Sequence, residues 1–131
     1  MGRNLQTTGA IETMQEVNLA AKLDAIDEYW KPMIVAELND SYVKLVKLRG
    51  EFVWHRHEQE DELFHVLEGD LRIELRDGAL RLTKGELAVI PRGVEHRPVA
   101  EEDVHVLLIE PKSTVNTGEV RSDRTVRPEW I

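Results

Sequence analysis

Cysteine is absent from this chain of 131 residues. That excludes disulfides, zinc–thiolate sites and a cysteine nucleophile together. Basic residues are scarce: 17 Lys and Arg stand against 25 Asp and Glu, a formal charge of −8. This balance argues against a nucleic-acid-binding surface and otherwise mainly serves solubility. No apolar run approaches membrane-spanning length. Residues 1–10 hold one Arg and no apolar stretch of the kind a secretory signal carries. The expectation is a cytoplasmic protein with no membrane and no nucleic-acid partner. Also missing are an internal repeat, a Ser/His/Asp order, a glycine-rich phosphate loop and a helix-turn-helix segment.

What remains fits one globular domain. The chain is long enough to bury a core without covalent staples. Its composition, 41% hydrophobic and 32% charged, is that of a folded protein. Residues 1–12 are polar and read as a disordered N-terminal segment. A helix is expected over 13–31. Thr13 and Glu16 have capping-box spacing, and Asn18 is a second N-cap candidate. Leu19, Leu23, Ile26 and Trp30 recur on one helical face, and Pro32 stops the run. Such a helix would cover one flank of the fold or serve a dimer contact.

From Ile34 the period changes to two. Strands are expected at Ile34–Leu38, Tyr42–Leu48, Phe52–His57 and Leu63–Leu67. Leu71, Ile73 and Leu75 alternate with Arg72, Glu74 and Arg76, and Asp77-Gly78 signals a hairpin. Leu80 and Leu82 continue the alternation. Leu87–Ile90 and Val104–Ile109 complete the set. Many short strands between Gly and Pro turns argue for an all-β sandwich or barrel over 33–111. The tail, 112–131, is polar but ends in Trp130 and Ile131. It is expected to pack on its own barrel or on a partner.

Two runs carry the chemistry. Gly50 to Gly69 contains His55, His57 and Glu62. Gly85 to His96 contains Pro91, Gly93 and His96. His55 and His57 are two apart, which on a strand places them on one face. Glu62 opens the next strand, and His96 arrives from a distant segment. Taken singly, each has a plain reading as a half-exposed pair, a solvated carboxylate or a loop histidine. Together they are three imidazoles and one carboxylate able to converge on one ion. Without thiolate, that set suits Fe, Mn, Co, Ni, Cu or Zn as a divalent ion. Four protein ligands leave a coordination position open for chemistry.

Read together, the two runs resemble the two motifs of the cupin superfamily. Gly50, His55, His57, Glu62 and Gly69 follow the first, with Gly50 one residue closer to the first histidine than usual. Gly85, Pro91, Gly93 and His96 follow the second, and Ala100 stands where the family often has Asn. The resemblance implies a cupin-type jelly-roll β-barrel with a short N-terminal α-helix. It implies His55, His57, Glu62 and His96 as ligands of one divalent transition-metal ion per chain, and commonly a homodimer. Oxygenase, isomerase, epimerase or lyase chemistry on a small molecule would be within its range. So would a non-catalytic module that holds a small ligand or the metal itself. Neither catalytic residues nor an organic cofactor site stand out. Phe64 shares the parity of Glu62 and is a pocket candidate. Arg92, in the Pro-x-Gly turn, is a candidate to meet an anionic substrate. His65 has the opposite parity, and His105 reads as a packing histidine.

Overall fold

Alternating side chains build most of this protein. Leu71 and Ile73 are fully buried, whereas Arg72 and Glu74 are half-buried. A computed structural model describes residues 13–131. The expected N-terminal disordered segment, residues 1–12, lies outside the described residues. Among the described residues there are one helix, α1 (Leu19–Asp24), and eight strands: β1 (Met33–Leu38), β2 (Ser41–Glu51), β3 (Glu62–Glu68), β4 (Asp70–Leu75), β5 (Gly78–Thr83), β6 (Leu87–Ile90), β7 (His96–Pro111) and β8 (Glu129–Trp130). The path is β5-β4-β7-β2-β1-β8, with β3 joining β6 to β7. All pairs are antiparallel except β1 with β8.

The hub is β7. Its start pairs with β4, from Leu75↔His96 to Arg72↔Val99. Its end pairs with β3, from Leu63↔Ile109 to Glu68↔His105. Along these pairings β2 runs from Glu51↔Val99 to Ser41↔Pro111. One strand thereby serves both sides of the expected all-β jelly roll. Val46, Leu48, Phe64, Val66, Val104, Val106 and Leu108 fill the interior. Leu45 points the other way, into a second cluster with Ile26 and Val35 that Leu19, Leu23 and Leu107 join. Burying a side chain such as Leu45 is worth roughly 1.5–3 kcal/mol, which fixes α1 on the outer face. No helix among the described residues is long and apolar enough to cross a membrane.

Four expectations need correction. The helix expected over 13–31 spans only Leu19–Asp24, and its N-cap is Asn18, whose Oδ1 accepts the Ala21 N–H at 3.0 Å. The chain leaves the helix so that Ile26 joins the outer cluster while Trp30 enters the barrel. Trp30 does so with φ +63, its backbone N–H donating to the Lys47 carbonyl at 2.9 Å. Its helical spacing was coincidental. Phe52–His57 is not a strand; only His55 bridges, to His96. The β4–β5 hairpin forms, but Leu75 faces Gly78, so the turn residues are Arg76 and Asp77. β7 also starts earlier than Val104, because His96–Val99 pairs with β4 through Pro98.

The tail returns to its own barrel. Ile131 N–H donates to the Ile34 carbonyl at 3.1 Å, and Lys22 Nζ reaches the Ile131 carbonyl at 2.8 Å. Trp130 meets Tyr42 edge to face, with centroids 5.9 Å apart. Midway, Gly118 (φ +59) lies against Arg56, where an added Cβ would collide with the Arg56 carbonyl.

Candidate metal centre

Two backbone ties draw the histidine runs together. His55 and His96 exchange backbone hydrogen bonds of 3.0 and 2.9 Å. Gly93 (φ +81) donates its N–H to the His57 carbonyl at 2.8 Å. The Pro-x-Gly turn is thus anchored to the backbone of the second histidine. Glu62 enters from the start of β3, on the inward parity shared by Phe64 and Val66.

The result is a buried cluster. His55, His57, Glu62 and His96 are 0–4% exposed, and one ligand atom of each lies within 4.8 Å of the others. Glu62 Oε1 is 3.4 Å from both His57 Nε2 and His96 Nε2. The ring centroids of His55 and His96 are 4.4 Å apart. His55 Nδ1 lies 2.9 Å from the Val53 carbonyl, and His96 Nδ1 lies 2.9 Å from the Val94 carbonyl. A carbonyl only accepts, so each Nδ1 carries the proton and each Nε2 keeps its lone pair. This is how metal-binding imidazoles are oriented. Burial, then the neighbouring His96, pushes the His55 imidazole down to about 4, so it is neutral at physiological pH. His57 Nε2, Glu62 Oε1 and His96 Nε2 are buried with no hydrogen-bond partner. The group is positioned for metal binding.

Beside it opens a pocket whose space, its mouth included, is about 420 Å³. Apolar groups dominate its wall: Trp30, Pro32, Phe52, Phe64, Pro98 and Leu108. His55, Glu62, Glu110 and Asn116 are its polar members. Phe64 is therefore in the pocket wall. Arg92 is not: its guanidinium folds back on Asp61, with Nε 3.3 Å from Oδ1. The Arg92 side chain and backbone N–H hold the Asp61 carboxyl below its usual range. His65 and His105 lie on the other face and do not join the cluster.

Glu110 and Lys44 were not singled out from the sequence. They are 1% and 2% exposed and form an ion pair of 2.8 Å inside the barrel. Burial, then the charge of Glu62, pushes the Glu110 carboxyl well above its ordinary range, with Lys44 opposing. Burial also works against the Glu62 carboxylate, but Glu110, His57 and His96 together hold it well below. The available signal was parity. Glu110 follows Val104, Val106 and Leu108 at steps of two, and Lys44 precedes Val46 and Leu48 in the same way.

Comparison with known proteins agrees with this geometry. Residues 42–110 match the family model of the cupin domain. The chain belongs to the cupin family. This cupin is 38% identical over 81 residues to the uncharacterised protein YdbB of Bacillus subtilis, covering 61% of this chain and 72% of YdbB. It is similar to the crystal structure of a cupin-2 domain containing protein from Shewanella frigidimarina, with 43% identity and a TM-score of 0.72. That match covers 79% of this chain and 99% of the other. Protein NMB1881 from Neisseria meningitidis is 38% identical with a TM-score of 0.68, over 73% of this chain and 98% of that one.

Proposed function

We propose that this cupin is a metal-dependent enzyme. It holds one divalent transition-metal ion on His55, His57, Glu62 and His96 and acts on a small organic molecule in the adjoining pocket. The supporting observation is the trio of partnerless atoms, His57 Nε2, Glu62 Oε1 and His96 Nε2. A buried polar atom left bare costs about 1–3 kcal/mol, and one cation answers all three. When bound, an ion of this class supplies Lewis-acid or redox chemistry. The chain's own residues do the rest. Val53 and Val94 carbonyls fix two of the rings, and the apolar wall keeps water from the substrate.

The wall favours oxygenase chemistry over sugar-type isomerisation. A sugar carries hydroxyls around its ring and needs matching polar groups, which this wall scarcely supplies. The same scarcity supports a second reading, a non-catalytic small-ligand module. A screen of the metal-loaded protein for dioxygen uptake and sugar isomerisation separates them. Dioxygen uptake that is lost in His96→Ala is expected. Turnover unchanged in that variant would count against metal catalysis, and binding without turnover would favour the module. A homodimer belongs to the same proposal. Its support is the apolar pair Leu87 and Val89 on β6, 57% and 52% exposed. A monomer at micromolar concentration in sedimentation would contradict it.

A further inference from the structure

Every arginine from Arg49 to Arg97 pairs with an Asp or Glu. Arg121, Arg124 and Arg127 pair with none among the described residues, but of these only Arg124 has a nitrogen, Nη1, buried without a hydrogen-bond partner. A buried donor left bare calls for a reason. The guanidinium carbon lies 5.5 Å from the Trp30 ring centroid and 5.9 Å from that of Phe52. Those rings stack on each other at 4.9 Å, and both line the pocket. Phe52 in turn meets His55 edge to face at 5.3 Å. The unpaired charge therefore stands against the pocket wall, one ring away from a candidate metal ligand.

The backbone around Arg124 is held in place independently of its side chain. Its carbonyl accepts from Asn116 Nδ2 at 2.7 Å, and its N–H donates to Ser122 Oγ at 3.1 Å. Asn116 Oδ1 accepts the Val126 N–H at 3.0 Å, and Asn116 itself lines the pocket. A loop stapled this way delivers one cation to an aromatic wall. Cation–π contact holds the guanidinium there, with its Nη1 donor engaged by no protein acceptor. A guanidinium fork matches a carboxylate, and partial burial strengthens the pairing.

We infer that the pocket is specific for a small organic anion, a carboxylate on an apolar ring-sized body, with Arg124 binding the carboxylate. This deepens the proposal that the pocket is the substrate site, but it does not depend on the metal. The test uses benzoate and its neutral isostere benzamide as probes. Calorimetric titration is done on metal-free and on metal-loaded protein. Wild type is expected to prefer benzoate by at least about tenfold in both forms. Arg124→Met should remove that preference in the metal-free protein while metal affinity is unchanged. Arg124→Lys should keep part of it. Equal binding of the two probes by metal-free wild type would overturn the inference, as would a preference that survives in Arg124→Met. Failure of the protein to bind metal, with the benzoate preference intact, would sink the metal proposal and leave this one standing.

Discussion

Removing Glu110 should destabilise the protein far more than removing Lys44. The two form a buried pair 2.8 Å long inside the barrel. Glu110→Leu leaves the Lys44 ammonium buried without its carboxylate partner. Breaking a buried pair from one side in this way costs about 3–5 kcal/mol. Lys44→Met leaves a carboxyl already held toward its neutral form by burial and by Glu62. Its loss should be about 1–3 kcal/mol. The double variant Lys44→Met/Glu110→Leu removes both charges, and such replacements are often close to neutral. For a domain of this size each kcal/mol moves the midpoint by about 3–5 °C. Thermal unfolding of the metal-free protein at pH 7 should place Glu110→Leu about 15 °C below wild type. Lys44→Met should fall about 5–10 °C below, with the double variant recovering most of the Glu110→Leu loss. Glu110→Leu melting within about 3 °C of wild type, or a double variant no better than that single, would refute a stabilising role for the pair.

The His55 imidazole is pushed down to about 4 by burial and by His96, below its unfolded value of 6.5. The unfolded chain therefore binds the proton more readily. Stability of the metal-free form should be whole above about pH 6.5 and fall by about 3 kcal/mol as pH drops through about 4. A urea midpoint that is the same at pH 7.5 and 4.5 would contradict this. Gly118→Ala forces a Cβ against the Arg56 carbonyl at φ +59. It should cost more than the left-handed backbone alone, about 1–2 kcal/mol, and expose the 112–131 tail to limited proteolysis. Cleavage no faster than in wild type would count against that packing.

The barrel strands and the four clustered residues were readable because their signals are local or paired. Alternation at Leu71 and Ile73 marks an inner face whatever the rest of the chain does. The spacing around His55 and His96 survived even though Phe52–His57 is not a strand. Backbone bonds to His96 and Gly93 hold those residues in place of a ladder. Trp30 misled because its helical spacing was accidental; a left-handed backbone and the stacked Phe52 ring draw it inward. Arg92 misled for a similar reason, since Asp61 claims its guanidinium. Glu110 and Lys44 stayed hidden because each shares its strand with charged residues that face outward, and only the fold brings the two together inside. Arg124 was harder still. Its meaning lies in what it lacks, and that is visible only in three dimensions.

The metal content of protein purified without an affinity tag decides whether the four clustered residues are a metal centre. Elemental analysis should find one divalent transition-metal ion per chain, and none in His55→Ala or His57→Ala. Reconstituting the wild-type protein with excess ion should restore the full complement and raise its unfolding midpoint. A wild-type protein that takes up no ion, and whose midpoint does not move when Fe, Mn, Co, Ni, Cu or Zn is added, would contradict a metal centre at His55, His57, Glu62 and His96.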